Sequence, residues 1–96
     1  MLSVQLMQNK GIYISSRDEV ANFLASVSKK DMAAVLDDLC TPQEIVELSE
    51  RLHIFRKLKA GKTQRAIADD LGISVTTVTR GSRVLKYGTG TIDKYI

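Results

Sequence analysis

The chain lacks most of the devices that mark an enzyme, a secreted protein or a membrane protein. Its 96 residues include one cysteine, one proline and one histidine. The single thiol, Cys40, cannot close an internal disulfide, which fits a reducing cytoplasm. No apolar run approaches the roughly 18 residues needed to cross a bilayer, and the N-terminal stretch has no signal-peptide core. A cytoplasmic protein without a membrane partner is expected. There is no phosphate-cradling glycine loop, no nucleophile motif and no metal box. His53 lies in a helical stretch with no second ligand at metal spacing, so it reads as a surface or interface side chain. Cys40 has no base placed beside it by sequence and reads as a small residue at a helix junction. Asp37 with Asp38, and Asp69 with Asp70, are adjacent pairs, and neighbours on a helix point in different directions, which argues against acid–base catalysis. No enzyme activity, metal or cofactor is expected.

What the chain does have is a globular composition, with 44% hydrophobic and 26% charged residues. Its length is one domain's worth, close to the size at which a monomer buries only part of its apolar surface, so a partner subunit would help. The net charge of +3 hides an asymmetry. Residues 1–50 carry four basic side chains against eight acidic ones, a net of −4, while residues 51–96 carry ten against three, a net of +7. The second half is suited to meeting a polyanion.

Hydrophobic spacing predicts an all-α chain. Residues 1–15 read as a flexible N-terminal arm, with a hairpin turning at Asn9-Lys10-Gly11 as the alternative. The capping box Ser16-Arg17-Asp18-Glu19 leads into Val20, Phe23, Leu24 and Val27, predicting a helix over 17–27. Ser28 can cap a second helix with the stripe Met32, Val35, Leu36, Leu39, ending near Leu39 or Cys40. Thr41-Pro42-Gln43-Glu44 combines an N-cap, proline at the first helical position and a capping-box glutamate. It opens a long helix to about Ala60, with Ile45, Leu48, Leu52 and Phe55 inward and Gly61 at the C-terminal cap. Thr63 and Ser74 can cap two short helices, 64–71 and 75–86, with Gly72 between them and a break at Tyr87-Gly88. Within one folded domain, residues 16–61 then form a helical dimerisation core, 62–88 a reading head and 89–96 a tail with a last helical turn near Asp93.

Residues 64–83 carry the strongest signal. The helix Gln64–Leu71 ends at a glycine able to take the left-handed conformation, Ala68 lets a second helix approach, and Ile73 plugs the corner, which is a helix-turn-helix pattern. At about 100° per residue, Val78 and Leu85 align with Gly81 and Ser82 beside them, while Thr76, Thr79, Arg80 and Arg83 gather on the opposite side. Hydroxyls and guanidiniums so arranged suit the major groove of double-stranded DNA. The DNA-contacting set is Arg65, Ser74, Thr76, Thr77, Thr79, Arg80, Arg83 and Lys86, with Lys57, Lys59 and Lys62 expected over phosphates.

Leu39-Cys40-Thr41-Pro42, Arg51, Gly61, Thr63-Gln64-Arg65 and Thr77-Val78-Thr79-Arg80-Gly81-Ser82 make the stretch from Leu39 to Lys86 resemble the tryptophan repressor family. The resemblance implies an intertwined, all-helical homodimer that binds operator DNA when L-tryptophan acts as corepressor, controlling genes of tryptophan biosynthesis or transport. It places the ligand on Cys40, Thr41, Arg51, Arg80, Gly81 and Val84. The C-terminal end of the second helix, around Cys40 and Thr41, suits an amino group. Arg80 and the Thr41 hydroxyl suit a carboxylate, Arg51 and Arg80 suit the two faces of an indole, and Gly81 leaves room for the ring. Val84 stands where tryptophan-binding members have a serine, and the Gly61-Lys62-Thr63 link is one residue shorter than in the best-known members. Asp37-Asp38-Leu39-Cys40-Thr41 and Leu85-Lys86-Tyr87-Gly88 also resemble a sister branch of repressor-like proteins without an established effector. A related indole, another effector or none is the alternative.

Overall fold

In the computed structural model the backbone is described from Lys10 and the side chains from Ser16, both to Ile96. The described residues form α1 (Lys10–Ser26), α2 (Met32–Leu39), α3 (Pro42–Lys59), α4 (Gln64–Leu71), α5 (Val75–Tyr87) and a 3-10 turn (Ile92–Tyr95), and no strand. They divide into two compact units, one ending at Cys40 and the other running from Thr41 to Ile96.

In the first unit the helix starts earlier than its capping signal. α1 already begins at Lys10, which corrects the arm expected over 1–15 at its last six positions and removes Lys10 and Gly11 from the alternative hairpin turn. Residues 1–9 of that arm lie outside the described residues. Ser16 is therefore a helix-interior residue and not an N-cap. The physical reason is that nothing from 10 to 26 breaks a helix. There is no proline, and Gly11 falls in the first turn, where backbone N–H groups have no intrahelical partner in any case. The Ser28 hydroxyl accepts the Asp31 N–H at 3.3 Å in the turn before α2, so it organises the approach to that helix without being its cap. α2 ends where the Cys40 N–H donates to the Leu36 carbonyl at 2.9 Å. No side chain described in α1 or α2 is buried, and Val20, Phe23 and Leu39 are about half exposed.

The second unit is built on local capping chemistry. At its start the Thr41 hydroxyl accepts the Glu44 N–H at 3.1 Å while the Glu44 carboxylate accepts the Thr41 N–H at 2.8 Å, the reciprocal pair expected from the sequence. α3 closes on Gly61 at φ +89°, with Gly61 N–H donating to Leu58 O and Lys62 N–H to Lys57 O, so two carbonyls at its end are satisfied. Thr63 and Ser74 cap α4 and α5 by accepting the N–H groups of Ala66 and Thr77, each at 3.1 Å.

The core of this unit is Ile54, Phe55, Ile67, Ala68 and Val78, with Leu58, Leu71 and Ile73 packed against it. Of the four α3 residues expected inward, only Phe55 is buried. Ile45 is half-buried and Leu48 and Leu52 are exposed, while Ile54 is 1% exposed. α5 lies on the face of α3 that carries Ile54, which leaves the 45–48–52 stripe uncovered within the unit. Because α3 packs on both α4 and α5, the long helix belongs to one compact unit with the two short ones.

Candidate nucleic-acid interface and ligand recess

α4 and α5 meet at a corner fixed by Gly72, which sits at φ +68° with its N–H donating to Ala68 O. The Ile73 N–H donates to the same carbonyl at 3.1 Å, and the Ile73 side chain packs against the core as expected. One bond ties the two helices across the corner. The Thr79 hydroxyl donates to Gln64 Oε1 at 2.6 Å and also lies 2.9 Å from the Val75 carbonyl. A hydroxyl has one proton, so Thr79 serves as a brace between α4 and α5, a role its position on the polar face did not reveal.

The outward side of α5 carries Thr76, Arg80, Arg83 and Lys86, all exposed, and Arg65 is exposed on α4. The Arg83 guanidinium lies over the Tyr87 ring at 5.7 Å from its centroid. Sequence reasoning passed over Tyr87, although one helical turn separates the two. Stacking of this kind limits the rotamers of the arginine without neutralising it. Ser74 and Thr77 share a hydroxyl–hydroxyl bond of 2.9 Å at the start of the helix.

The three lysines expected over phosphates are engaged inside the unit. Lys57 and Lys62 both lie 3.7 Å from the Asp70 carboxylate. Lys59 donates to the backbone oxygens of Asp93 and Ile96 at 2.8 Å and lies 3.4 Å from the Asp93 carboxylate. The ion pairs are exposed apart from the half-buried Lys57 and are worth about 1 kcal/mol or less each, but they turn these cations toward α4 and the C-terminal turn.

A recess of about 580 Å³ lies between α3 and α5. Each helix contributes a stripe of residues at i, i+3, i+4 and i+7: Glu47, Glu50, Arg51 and Ile54 from α3, and Thr77, Arg80, Gly81 and Val84 from α5, with Phe55 completing the wall. The size falls within the range of about 300–1,000 Å³ usual for small-molecule sites. Four of the six ligand residues expected from the sequence line it: Arg51, Arg80, Gly81 and Val84. Thr41 does not, its hydroxyl and N–H both being used in the capping box, and Cys40 belongs to the first unit, where it caps α2. Gly81, which lines the recess, also carries a packing requirement. A Cβ there would meet Ile54 Cγ2 at 2.6 Å, so the glycine is required by the approach of α5 to α3. Sequence reasoning missed Glu47, Glu50 and Ile54, which the helical spacing around Arg51 would have found.

Residues 15–96 match the profile of the family described as Trp repressor protein. The chain belongs to the Trp repressor family. Among curated relatives it is 42% identical over 62 residues to the Trp operon repressor homolog of Vibrio vulnificus (strain YJ016), covering 64% of this chain and 61% of that one. It is 31% identical over 77 residues to the Trp operon repressor homolog of Xylella fastidiosa (strain M23), covering 74% and 84%. It is also 36% identical over 72 residues to YerC of Bacillus subtilis (strain 168), an uncharacterized protein, covering 74% and 69%. The matched stretch thus covers between 61% and 84% of the length of these three relatives. No solved structure matches it. The Trp repressor family is one of DNA-binding transcription regulators, and the matched region takes in α2 to α5 and the whole recess. No helix of the described residues is long and apolar enough to cross a membrane.

Proposed function

We propose that this protein is a homodimeric transcriptional repressor of the helix-turn-helix type, with L-tryptophan or a close indole relative as corepressor and genes of tryptophan biosynthesis or transport as targets. The observation that carries the reading is the recess, which sets Arg51 of α3 and Arg80 of α5 around one volume. A ligand held by both arginines ties the DNA-facing helix to the long helix, and it acts only by as much as it prefers the DNA-competent geometry. α5 is the recognition helix, with Thr76, Arg80 and Arg83 toward base edges and Arg65, Ser74 and Lys86 toward the backbone. The exposed apolar residues Val20, Phe23, Leu39, Val46, Leu48 and Leu52 support a second copy as the missing cover, and Cys40 and Thr41 remain proposed ligand contacts.

A second reading, in which the effector is another compound or absent, is favoured by Val84. Its side chain offers no hydrogen bond to the recess, and the uncharacterized Bacillus relative leaves the effector of part of the family open.

Titration of operator-like DNA with and without L-tryptophan separates the two. Gating predicts an affinity gain within the usual coupling range of about 5- to 150-fold, and unchanged affinity rules out tryptophan as corepressor. Arg51→Ala is expected to remove most of that gain while DNA binding without ligand persists. Size-exclusion chromatography with light scattering is expected to return twice the chain mass.

A further inference from the structure

The Arg83 guanidinium carbon lies 5.7 Å from the centroid of the Tyr87 ring, within the reach of about 6 Å of a cation–π contact. Among the described residues this is the one cation–ring contact, and Arg83 forms no ion pair and no side-chain hydrogen bond. The N–H donors of a guanidinium lie in its plane, so a ring under the cation occupies a face and leaves the donor edge open. Tyr87 does nothing else that the fold needs. It is 76% exposed, its hydroxyl has no hydrogen-bond partner among the described residues, and it is the last residue of α5, with Gly88 already extended at the cap. The ring supports no core, and a pair of residues one turn apart adds little at a helix end, where the last turn frays.

We infer that Tyr87 is a positioning residue for sequence readout: it confines Arg83 so that the arginine pairs with the major-groove edge of a guanine. This rests on the proposal that α5 is the recognition helix, and it adds what decides specificity at one base pair. An exposed arginine without such a ring samples many rotamers and meets phosphates as readily as base edges, so it contributes affinity without discrimination. Confining it before binding lowers the ordering cost of the geometry that pairs bidentately with guanine. The requirement is for the ring and not for the hydroxyl. Phenylalanine at this position serves equally, whereas alanine leaves the charge of Arg83 in place and loses the reading.

Selection of the full chain against a pool of random-sequence duplex DNA, with and without L-tryptophan, tests this without a known operator. The proteins are the unaltered chain, Arg83→Ala, Tyr87→Ala and Tyr87→Phe, and circular dichroism checks that each variant folds. The unaltered chain is expected to enrich a motif, and Arg83→Ala to lose the preference for guanine at one position of it. Tyr87→Ala is expected to weaken the preference for that same guanine by about 2- to 5-fold, the weight of an exposed cation–π contact, with the other positions unchanged. Tyr87→Phe is expected to keep it. A purely structural role for Tyr87 would instead lower enrichment at every position alike. If Tyr87→Ala keeps the guanine preference in full, if Tyr87→Phe loses it, or if Arg83→Ala changes no position, the inference is overturned and DNA binding by α5 stands. If the unaltered chain retains no duplex DNA under either condition, both fall.

Discussion

Gly81 of α5 rests against Ile54 of α3 with no room for a side chain between them: a Cβ on the glycine would lie 2.6 Å from the isoleucine Cγ2 and 3.7 Å from Phe55 Cε1. Ile54 is buried, so it cannot swing into solvent to make way. The spacing of α3 and α5, and with it the width of the recess, is set at this contact.

Gly81→Ala is therefore expected to destabilise the fold by about 1–3 kcal/mol, the usual cost of overpacking a core. The same change on an open helix face would gain up to about 1 kcal/mol from better helix propensity. In an Ile54→Ala background, which removes the obstructing methyl, Gly81→Ala is expected to cost little or to stabilise. Urea unfolding of the four proteins of this cycle measures the difference, and equal costs in both backgrounds would show that the contact does not set the spacing.

Gly72 carries a different requirement. It sits at φ +68°, and nothing lies within 4 Å of where its Cβ would be. The cost of Gly72→Ala is then a backbone cost alone, about 1–2 kcal/mol, and Gly72→Asn should cost less because asparagine visits the left-handed region more readily. Urea midpoints of the two variants check the order. Equal and larger losses would point to packing at the corner.

The pairing of the lysines separates a cation left open to the proposed DNA partner from cations already engaged within the fold. Lys86 is exposed at the end of α5 with no salt-bridge partner among the described residues, whereas Lys59 is held by the C-terminal turn. Lys86→Ala is expected to reduce the steepness of the log affinity against log salt plot by about 1, and Lys59→Ala to leave it nearly unchanged. Titrations of duplex DNA at several salt concentrations measure both slopes.

The bounds of α3, α4 and α5 were legible because capping is local. A threonine or serine accepting an N–H three residues on, or a glycine at positive φ, involves only neighbours in the chain, and the ends at Thr41, Gly61, Thr63, Gly72 and Ser74 follow from them. The same logic failed at Ser16, where a capping pattern lies inside a continuing helix. A cap is favourable only if the chain before it leaves the helix, and nothing over residues 10–16 forces it to.

The sequence by itself determined the helical content, the corner at Gly72, the polar outer side of α5 and the separation of charge between the two halves, since each depends on residue type and spacing along one chain. The tertiary structure alone decided which stripe of α3 is covered, Ile54 rather than Leu48 and Leu52. It also decided which lysines are already paired, that Thr79 braces α4, and that Glu47 and Glu50 join Arg51 and Arg80 around one recess. Those facts depend on which helix lies against which face. Burial, pairing and shared cavities are properties of two surfaces brought together, and helical periodicity describes only one of them.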